Sequence, residues 1–261
     1  MNNSFRENNK NGVVFFTSDI IKTNHGFSTR KGGVSTLPHL AEMNLGKTLG
    51  DTPENVKENY NRMAKAIGFD AESIVYTNQI HSNIVQTVTK ANCNQTYDCD
   101  GFVTSEKGVT LAVRTADCVP ILFCDDSAGV IGAIHAGWRG TVNGIQQNAV
   151  YAMTGLGASP EKIKVAIGAC IHACCYEVGE DFIAALNEKL GKESTCRHTV
   201  TVDGKKHFNL LSLNLKMLEK VGINPENIDF SPDCTCCKPE LYFSHRASKG
   251  KRGVMSAFIT L

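Results

Sequence analysis

The stretch that most constrains the fold runs from residue 73 to residue 134. Six apolar, strand-length segments follow one another there, at 74–76, 80–88, 101–104, 110–114, 119–124 and 130–134, with no helical pattern between them. A doubly wound parallel sheet needs a crossover, normally a helix, between successive strands. This spacing excludes that architecture and predicts an α+β fold with extensive sheet.

Helical patterns flank the strand-rich block. Thr52 suits a cap and Pro53 the first turn, while Val56, Tyr60, Met63, Ala64 and Ile67 form an apolar stripe that stops at Gly68. Further helices are expected at 142–153, 181–190 and 210–221. Strands are expected at 13–16, from 25 to the break at Gly32-Gly33, and at 164–167, 241–244 and 254–259. Residues 200–208 read as a hairpin around Asp203-Gly204. Residues 1–10 are polar and read as disordered. No linker or repeat divides the rest, so residues 11–261 are expected to form a single catalytic domain.

The balance of residues narrows function by exclusion. With 42% hydrophobic and 20% charged residues and a net charge of +1, the chain has an ordinary globular composition. It offers no general electrostatic attraction to nucleic acid or to an acidic membrane. No apolar run spans a bilayer and no signal-peptide core is present, so a cytoplasmic location is expected. Eleven cysteines in a reducing compartment are thiols or metal ligands and not a disulfide framework.

Three of the apolar segments carry an unusual residue. His81 lies in Asn78-Gln79-Ile80-His81-Ser82 and Cys118 in Thr115-Ala116-Asp117-Cys118-Val119-Pro120. His135 precedes Ala136-Gly137-Trp138-Arg139-Gly140. Each sits near the end of an expected strand, and strand ends of one sheet can meet. Zinc accepts thiolate sulfur and imidazole nitrogen, and three protein ligands with a fourth position open mark a catalytic site. Spacing alone is better explained by packed histidines and a buried thiol; the neighbours shift that balance. Asp117 can orient a ligand or move a proton, or simply make a turn. The glycine-flanked Trp138-Arg139 pair suits either an anion-binding loop or a tight strand-to-helix turn. Arg30 before Gly32-Gly33 and Arg246 after Ser244-His245 are further anion candidates, because arginine grips phosphate through paired hydrogen bonds.

The remaining cysteines are weighed in the same way. Cys170 ends a strand and is a candidate pocket residue. Cys234-Thr235-Cys236-Cys237 has the density of a metal or redox site. No second cluster completes a four-ligand set by spacing, so free thiols are expected there and packing at Cys174-Cys175. Phosphate-loop, nucleophile-elbow and His-Glu-x-x-His motifs are absent.

Taken in order, these segments resemble the laccase-domain family, also described as multicopper polyphenol oxidase-like and more recently as purine nucleoside phosphorylases. The resemblance rests on Gly26-Phe27-Ser28-Thr29-Arg30-Lys31-Gly32-Gly33-Val34-Ser35, Gln79-Ile80-His81-Ser82, Asp100-Gly101-Phe102-Val103-Thr104 and the Cys118 and His135 segments. Tyr176-Glu177-Val178-Gly179 and Phe243-Ser244-His245-Arg246 extend it. It implies a single-domain α/β/β/α layered sandwich with mixed sheets and zinc at His81, Cys118 and His135. The implied reactions are phosphorolysis of adenosine, inosine, guanosine and methylthioadenosine, and deamination of adenosine. It also links bacterial relatives to correction of peptidoglycan precursors. This chain departs from the family pattern at Ala169, at Ala247 and at Arg252-Gly253-Val254, where relatives carry Thr-Gly-Arg.

Purine nucleosides and phosphate are therefore the expected small-molecule partners. Copper-dependent polyphenol oxidation is an alternative, since two histidines and a cysteine also suit Cu2+. None of the eight histidines stands in the His-x-His pattern of a multicopper cluster. A metal-free Cys118–His135 pair for hydrolysis is another alternative, and a metal-stabilised binding module would need a fourth ligand that the sequence does not supply.

Overall fold

The computed structural model describes residues 4–93 and 95–261. Strands β1 (Phe5–Lys10), β2 (Val13–Ser18) and β3 (His25–Ser28) precede helix α1 (Pro53–Ile67). Seven strands follow with no α-helix between them among the described residues: β4 (Ile74–Asn78), β5 (Val85–Thr87), β6 (Tyr97–Asp98), β7 (Gly101–Thr104), β8 (Thr110–Thr115), β9 (Val119–Asp125) and β10 (Val130–Ala136). Then come α2 (Trp138–Val142), α3 (Ile145–Gly155), β11 (Lys164–Ile167), α4 (Glu180–Leu190) and α5 (Lys192–Arg197). The hairpin β12 (Thr199–Val202) and β13 (Lys205–Phe208), α6 (Leu210–Lys220), β14 (Ile228–Phe230) and β15 (Met255–Thr260) complete the chain.

Two mixed sheets result. One has the order β1-β2-β3-β15-β8-β4-β6, the other β14-β11-β9-β10-β7-β5. Between them lies an apolar layer in which Phe27, Val75, Leu111, Val113 and Ile259 of the first sheet meet Phe102, Leu122, Ile131 and Ala166 of the second. Helix α1 covers the outer face of the first sheet, with Val56, Tyr60 and Met63 against Phe15, Ile74 and Phe258. Helices α3 and α6 cover the second, with Ala149, Met153, Leu213 and Leu218 packed over Ile121, Phe123 and Val165. Each strand of the second sheet's centre is buried on both faces, so β9 and β10 read as unbroken apolar runs. The expected α/β/β/α sandwich is the observed one.

Local signals explain most elements. The Thr52 side chain accepts a hydrogen bond from the Asn55 N–H, and Gly68 closes α1 in the left-handed conformation. Four expectations are corrected. Residues 5–10 form an edge strand paired with β2, because Asn11 (φ 54°) and Gly12 (φ 84°) make the two-residue left-handed turn that suits a hairpin; residues 1–3 of the expected disordered segment lie outside the described residues. The expected helix at 142–153 is α3, which starts only at Ile145, after Gly144 turns to φ 82° and separates it from the short α2. Residues 241–244 are not a strand: Tyr242 and Phe243 are buried, but their segment turns back on Lys238 through N–H donors of Leu241 and Tyr242. Strand character at 80–88 is confined to β5, with a loop over residues 79–84. No helix among the described residues is long and apolar enough to cross a membrane.

Candidate metal centre and its cavity

Register brings Cys118 and His135 together. In the antiparallel β9–β10 ladder His135 lies opposite Pro120 and Ala136 opposite Val119. Cys118, which leads into β9, therefore sits at the end of the ladder where β10 runs out. His81 reaches the same point from the loop between β4 and β5. Its backbone has φ 58°, a left-handed conformation that is uncommon outside glycine. The nitrogen and sulfur atoms of His81, Cys118 and His135 lie within 4.8 Å of one another, with His81 exposed, Cys118 half-buried and His135 buried.

The cause of the His81 conformation is Asp100, which is wholly buried. Its carboxylate accepts the N–H groups of Ile80 (3.3 Å), His81 (3.1 Å) and Ser82 (2.6 Å), and the Ser82 hydroxyl (2.8 Å). Successive N–H groups turned to one side make an anion-binding nest, and here the anion comes from the chain itself. The same carboxylate meets His135 Nδ1 at 2.8 Å, and the Asp100 carbonyl accepts the His135 N–H at 2.7 Å. One aspartate thus orients both histidines. A carboxylate behind a ligating imidazole fixes which ring nitrogen faces the metal.

The charges agree with this arrangement. Burial disfavours the Asp100 carboxylate, but its hydrogen bonds from His135 and Ser82 outweigh burial and hold its pKa below the usual value. Burial likewise opposes a charged His135, yet the Cys118 sulfur and Asp100 push it up to about 9. His81 is pulled down, first by burial and then by His135, with Arg139 adding to the effect. The donor set fits a metal ion. Space fits too: a Cβ on Gly137 would lie 2.8 Å from His81 Nδ1 and 3.4 Å from Cys118 Sγ. Gly137 has an ordinary extended backbone, so what the glycine supplies here is room beside the donors.

Beside these donors is a cavity of about 340 Å³ lined by His81, Ala116, Asp117, Cys118, Ile171, Tyr176, Leu210, His245, Arg246 and Arg252. That is within the range of small-molecule sites, ~300–1,000 Å³. Asp117 has φ 97°; its carboxylate accepts the Thr235 hydroxyl at 2.7 Å and the Arg246 N–H at 2.7 Å. Arg246 gives its guanidinium to the carbonyls of Cys175 and Glu177 and stands 5.3 Å from the Tyr176 ring centre. Arg252 is the new arginine here. Its Nε is buried without a hydrogen-bond partner among the described residues, and burial lowers its pKa while Asp117 and Cys118 act in the opposite direction.

The other expected residues lie elsewhere. Arg30 does not line the cavity. It donates to the carbonyls of Ala41 and Pro239 and stacks 4.6 Å over Phe243, so its hydrogen-bonding capacity ties loops together. Cys170 does not line it either, being 1% exposed within the core, with burial raising its thiol pKa. Arg139 lies 4.6 Å from the Trp138 ring on α2 and acts on His81 through charge. Sequence reasoning missed Asp100, Tyr176, His245 and Arg252 as site residues. Asp100 had a signal: a carboxylate entering a buried apolar strand requires partners.

Fold and site together define a four-layer sandwich in which two imidazoles and a cysteine sulfur, a set that could hold a metal ion, meet beside a cavity at strand ends. Residues 24–261 match the family described as multi-copper polyphenol oxidoreductase laccase, and the chain belongs to that family. A purine nucleoside phosphorylase of Deinococcus radiodurans is 41% identical over 251 residues, covering 96% of this chain and 94% of its own. The purine nucleoside phosphorylase YlmD of Geobacillus stearothermophilus is 38% identical over 243 residues, 90% of this chain and 88% of its own. The crystal structure of the Bacillus licheniformis hypothetical protein YfiH superposes with a TM-score of 0.90 at 30% identity over 100% of both chains. That of Geobacillus stearothermophilus YlmD does so at 0.89 with 34% identity over 99% of each.

Proposed function

We propose that this protein is a zinc-dependent purine nucleoside phosphorylase that acts on adenosine, inosine, guanosine and methylthioadenosine and also deaminates adenosine. One observation carries the reading: a single cavity is lined both by metal-type donors, His81 and Cys118, and by two arginines, Arg246 and Arg252. The phosphorylase names of relatives that align over nearly the whole chain support the same chemistry.

In phosphorolysis, phosphate attacks the anomeric carbon of the ribose while the purine leaves with the bonding electrons. Arg246 and Arg252 are the groups for the phosphate, and Arg252 Nε is a buried donor still awaiting an acceptor. Ile171, Leu210 and Tyr176 give the base an apolar and aromatic wall. Asp117 is the proton carrier of the proposal; each of its oxygens accepts one hydrogen bond and keeps a second lone pair for substrate. A zinc ion held by His81, Cys118 and His135 would supply Lewis acidity at this point of the cavity. Arg139 keeps positive charge close to His81.

A metal-free reading has one observation in its favour. Asp100, His135 and Cys118 form a carboxylate–imidazole–thiol chain of the kind used in nucleophilic catalysis. It leaves His81 without a task, although the Asp100 nest holds that residue in an unfavourable backbone conformation. The deciding experiment is phosphate-dependent release of free base from a nucleoside panel, with zinc measured on the same sample. Zinc-dependent phosphorolysis that His81→Ala abolishes is the expected result. Full activity in zinc-free, folded protein would overturn it.

A further inference from the structure

A second group of metal-type donors lies outside the centre just described. The loop after β11 brings Cys174 and Cys175 against Cys234 and Cys237 of the loop after β14, and the four sulfurs all lie within 4.8 Å of one another. Cys237 is 3.5 Å from Cys174 and 3.3 Å from Cys175, sulfur to sulfur. A disulfide would bring two sulfurs to ~2.0 Å. Zinc–thiolate bonds of ~2.3 Å in a tetrahedron instead place the sulfurs roughly 3.8 Å apart, inside the observed spread.

Two further features point to a cation. Cys234-Thr235-Cys236-Cys237 has the two-residue spacing of a thiolate knuckle. The backbone N–H of His172 reaches Cys234 Sγ at 3.4 Å. A peptide donor aimed at the sulfur sets its direction, as the outer contacts of metal sites do. The two loops are also joined independently of the sulfurs, through the Cys170–Cys234 bridge and the Thr235 N–H to the Cys170 carbonyl at 3.0 Å, so the donors are held together before any ion arrives.

We propose that Cys174, Cys175, Cys234 and Cys237 form a tetrathiolate site for one zinc ion, separate from the His81–Cys118–His135 centre. Four sulfurs fill the tetrahedron and leave no position for substrate, which makes the site structural. Its place in the fold gives it a task. Cys175 offers its carbonyl to Arg246, and Thr235, inside the knuckle, holds Asp117. A filled site fixes the two loops that carry these contacts and so braces one wall of the cavity. The proposal is independent of which reaction the cavity performs.

The test is elemental analysis of purified full-length protein, followed by zinc release to a chromogenic chelator. The intact protein is expected to hold about two zinc ions per chain, and Cys237→Ser and Cys234→Ser about one. His81→Ala should lose the other ion and keep the tetrathiolate one. Cobalt added to zinc-stripped His81→Ala protein should then give intense thiolate-to-metal charge transfer and the ligand-field bands of a tetrahedral site. Cys236→Ser is the control for handling of the loop and should retain both ions. Should the Cys234 and Cys237 variants fail to fold, the cobalt spectrum of the His81→Ala protein decides alone. A wild-type content of about one zinc that His81→Ala abolishes, iron in place of zinc, or a disulfide among the four cysteines would each overturn the proposal.

Discussion

The two sulfur-bearing clusters are built on opposite plans. Cys118 and His135 stand at the end of the β9–β10 ladder and His81 reaches them from a loop pinned by Asp100, with a cavity on one side and a buried carboxylate on the other. Cys174, Cys175, Cys234 and Cys237 sit in two loops near the surface, and only Cys234 is buried. The first has three donors and an open flank; the second has four and none. The difference teaches where rigidity comes from. At the strand ends the fold is complete first and a metal would be added to it. At the loops, a few backbone bonds such as Thr235 N–H to the Cys170 carbonyl already join the two segments, and an ion would tie their sulfurs together as well.

The largest expected effect separates the two plans. His135→Ala should reduce phosphorolysis below detection with an unchanged far-UV circular dichroism spectrum, while Cys237→Ser should retain measurable turnover; equal losses would erase the distinction. Gly137→Ala is next. Its new methyl meets His81 Nδ1 at 2.8 Å, and a displacement of the order of 1 Å costs roughly 10²-fold in rate. Wild-type kinetics in that variant would show that His81 is not needed where it stands. Asp100→Asn presents an amide to a nest of N–H donors, and should weaken zinc binding at the first centre by ~10–100-fold, measured by competition with a chelator, without touching the ion at the four cysteines.

Smaller effects refine the cavity. Arg252→Met should raise the KM for phosphate roughly tenfold with little change in zinc content, since a charged hydrogen bond is worth ~1.5–3 kcal/mol. A raised KM for nucleoside alone would remove Arg252 from the phosphate site. The smallest effect is a control remote from both clusters. Asp125 is buried and accepts from Ser127, Ala128 and Ser159; burial opposes its charge, but these bonds hold its pKa below the ordinary value. A depressed carboxylate contributes stability that is complete above its unfolded pKa of ~3.9 and lost as pH falls through the folded value. Asp125→Asn should therefore flatten the acid limb of thermal stability and leave metal content at both clusters unchanged.

Much of this layout was legible from residue patterns. Helix α1 declares itself through Thr52, Pro53 and Gly68, and strands β7 to β10 through apolar runs too long and too closely spaced for anything else. The ladder end shared by Cys118 and His135 follows from two such runs. What escaped were contacts made across long separations. Asn11-Gly12 carried a hairpin signal, but the polar exposed edge of β1 concealed it. His81 lay in an apolar run that read as strand, and only Asp100, nineteen positions away, turns it into a nest. Cys234–Cys237 had the density of a metal or redox site, but Cys174-Cys175, sixty-two positions away at their shortest contact, read as packing, so no second half was recognised. Arg30 misled for the opposite reason: its neighbours suggested an anion site, and the fold gives its donors to carbonyls instead.

The position of β15 has a consequence for how the molecule is made. This strand pairs with β3 on one side and β8 on the other, in the middle of the seven-stranded sheet, although it is the last strand of the sequence. During synthesis, which proceeds at ~5–20 residues per second, β3 and β8 present open edges until residues 255–260 emerge. Such edges invite pairing with other chains. The ladder that carries Cys118 and His135 belongs to the other sheet, and its inner face packs on β15, where Ala257 and Ile259 share one buried cluster with Leu122 and Ile131. That face therefore stays uncovered until residues 255–260 take their place, so one strand closes the first sheet and completes the core behind the second.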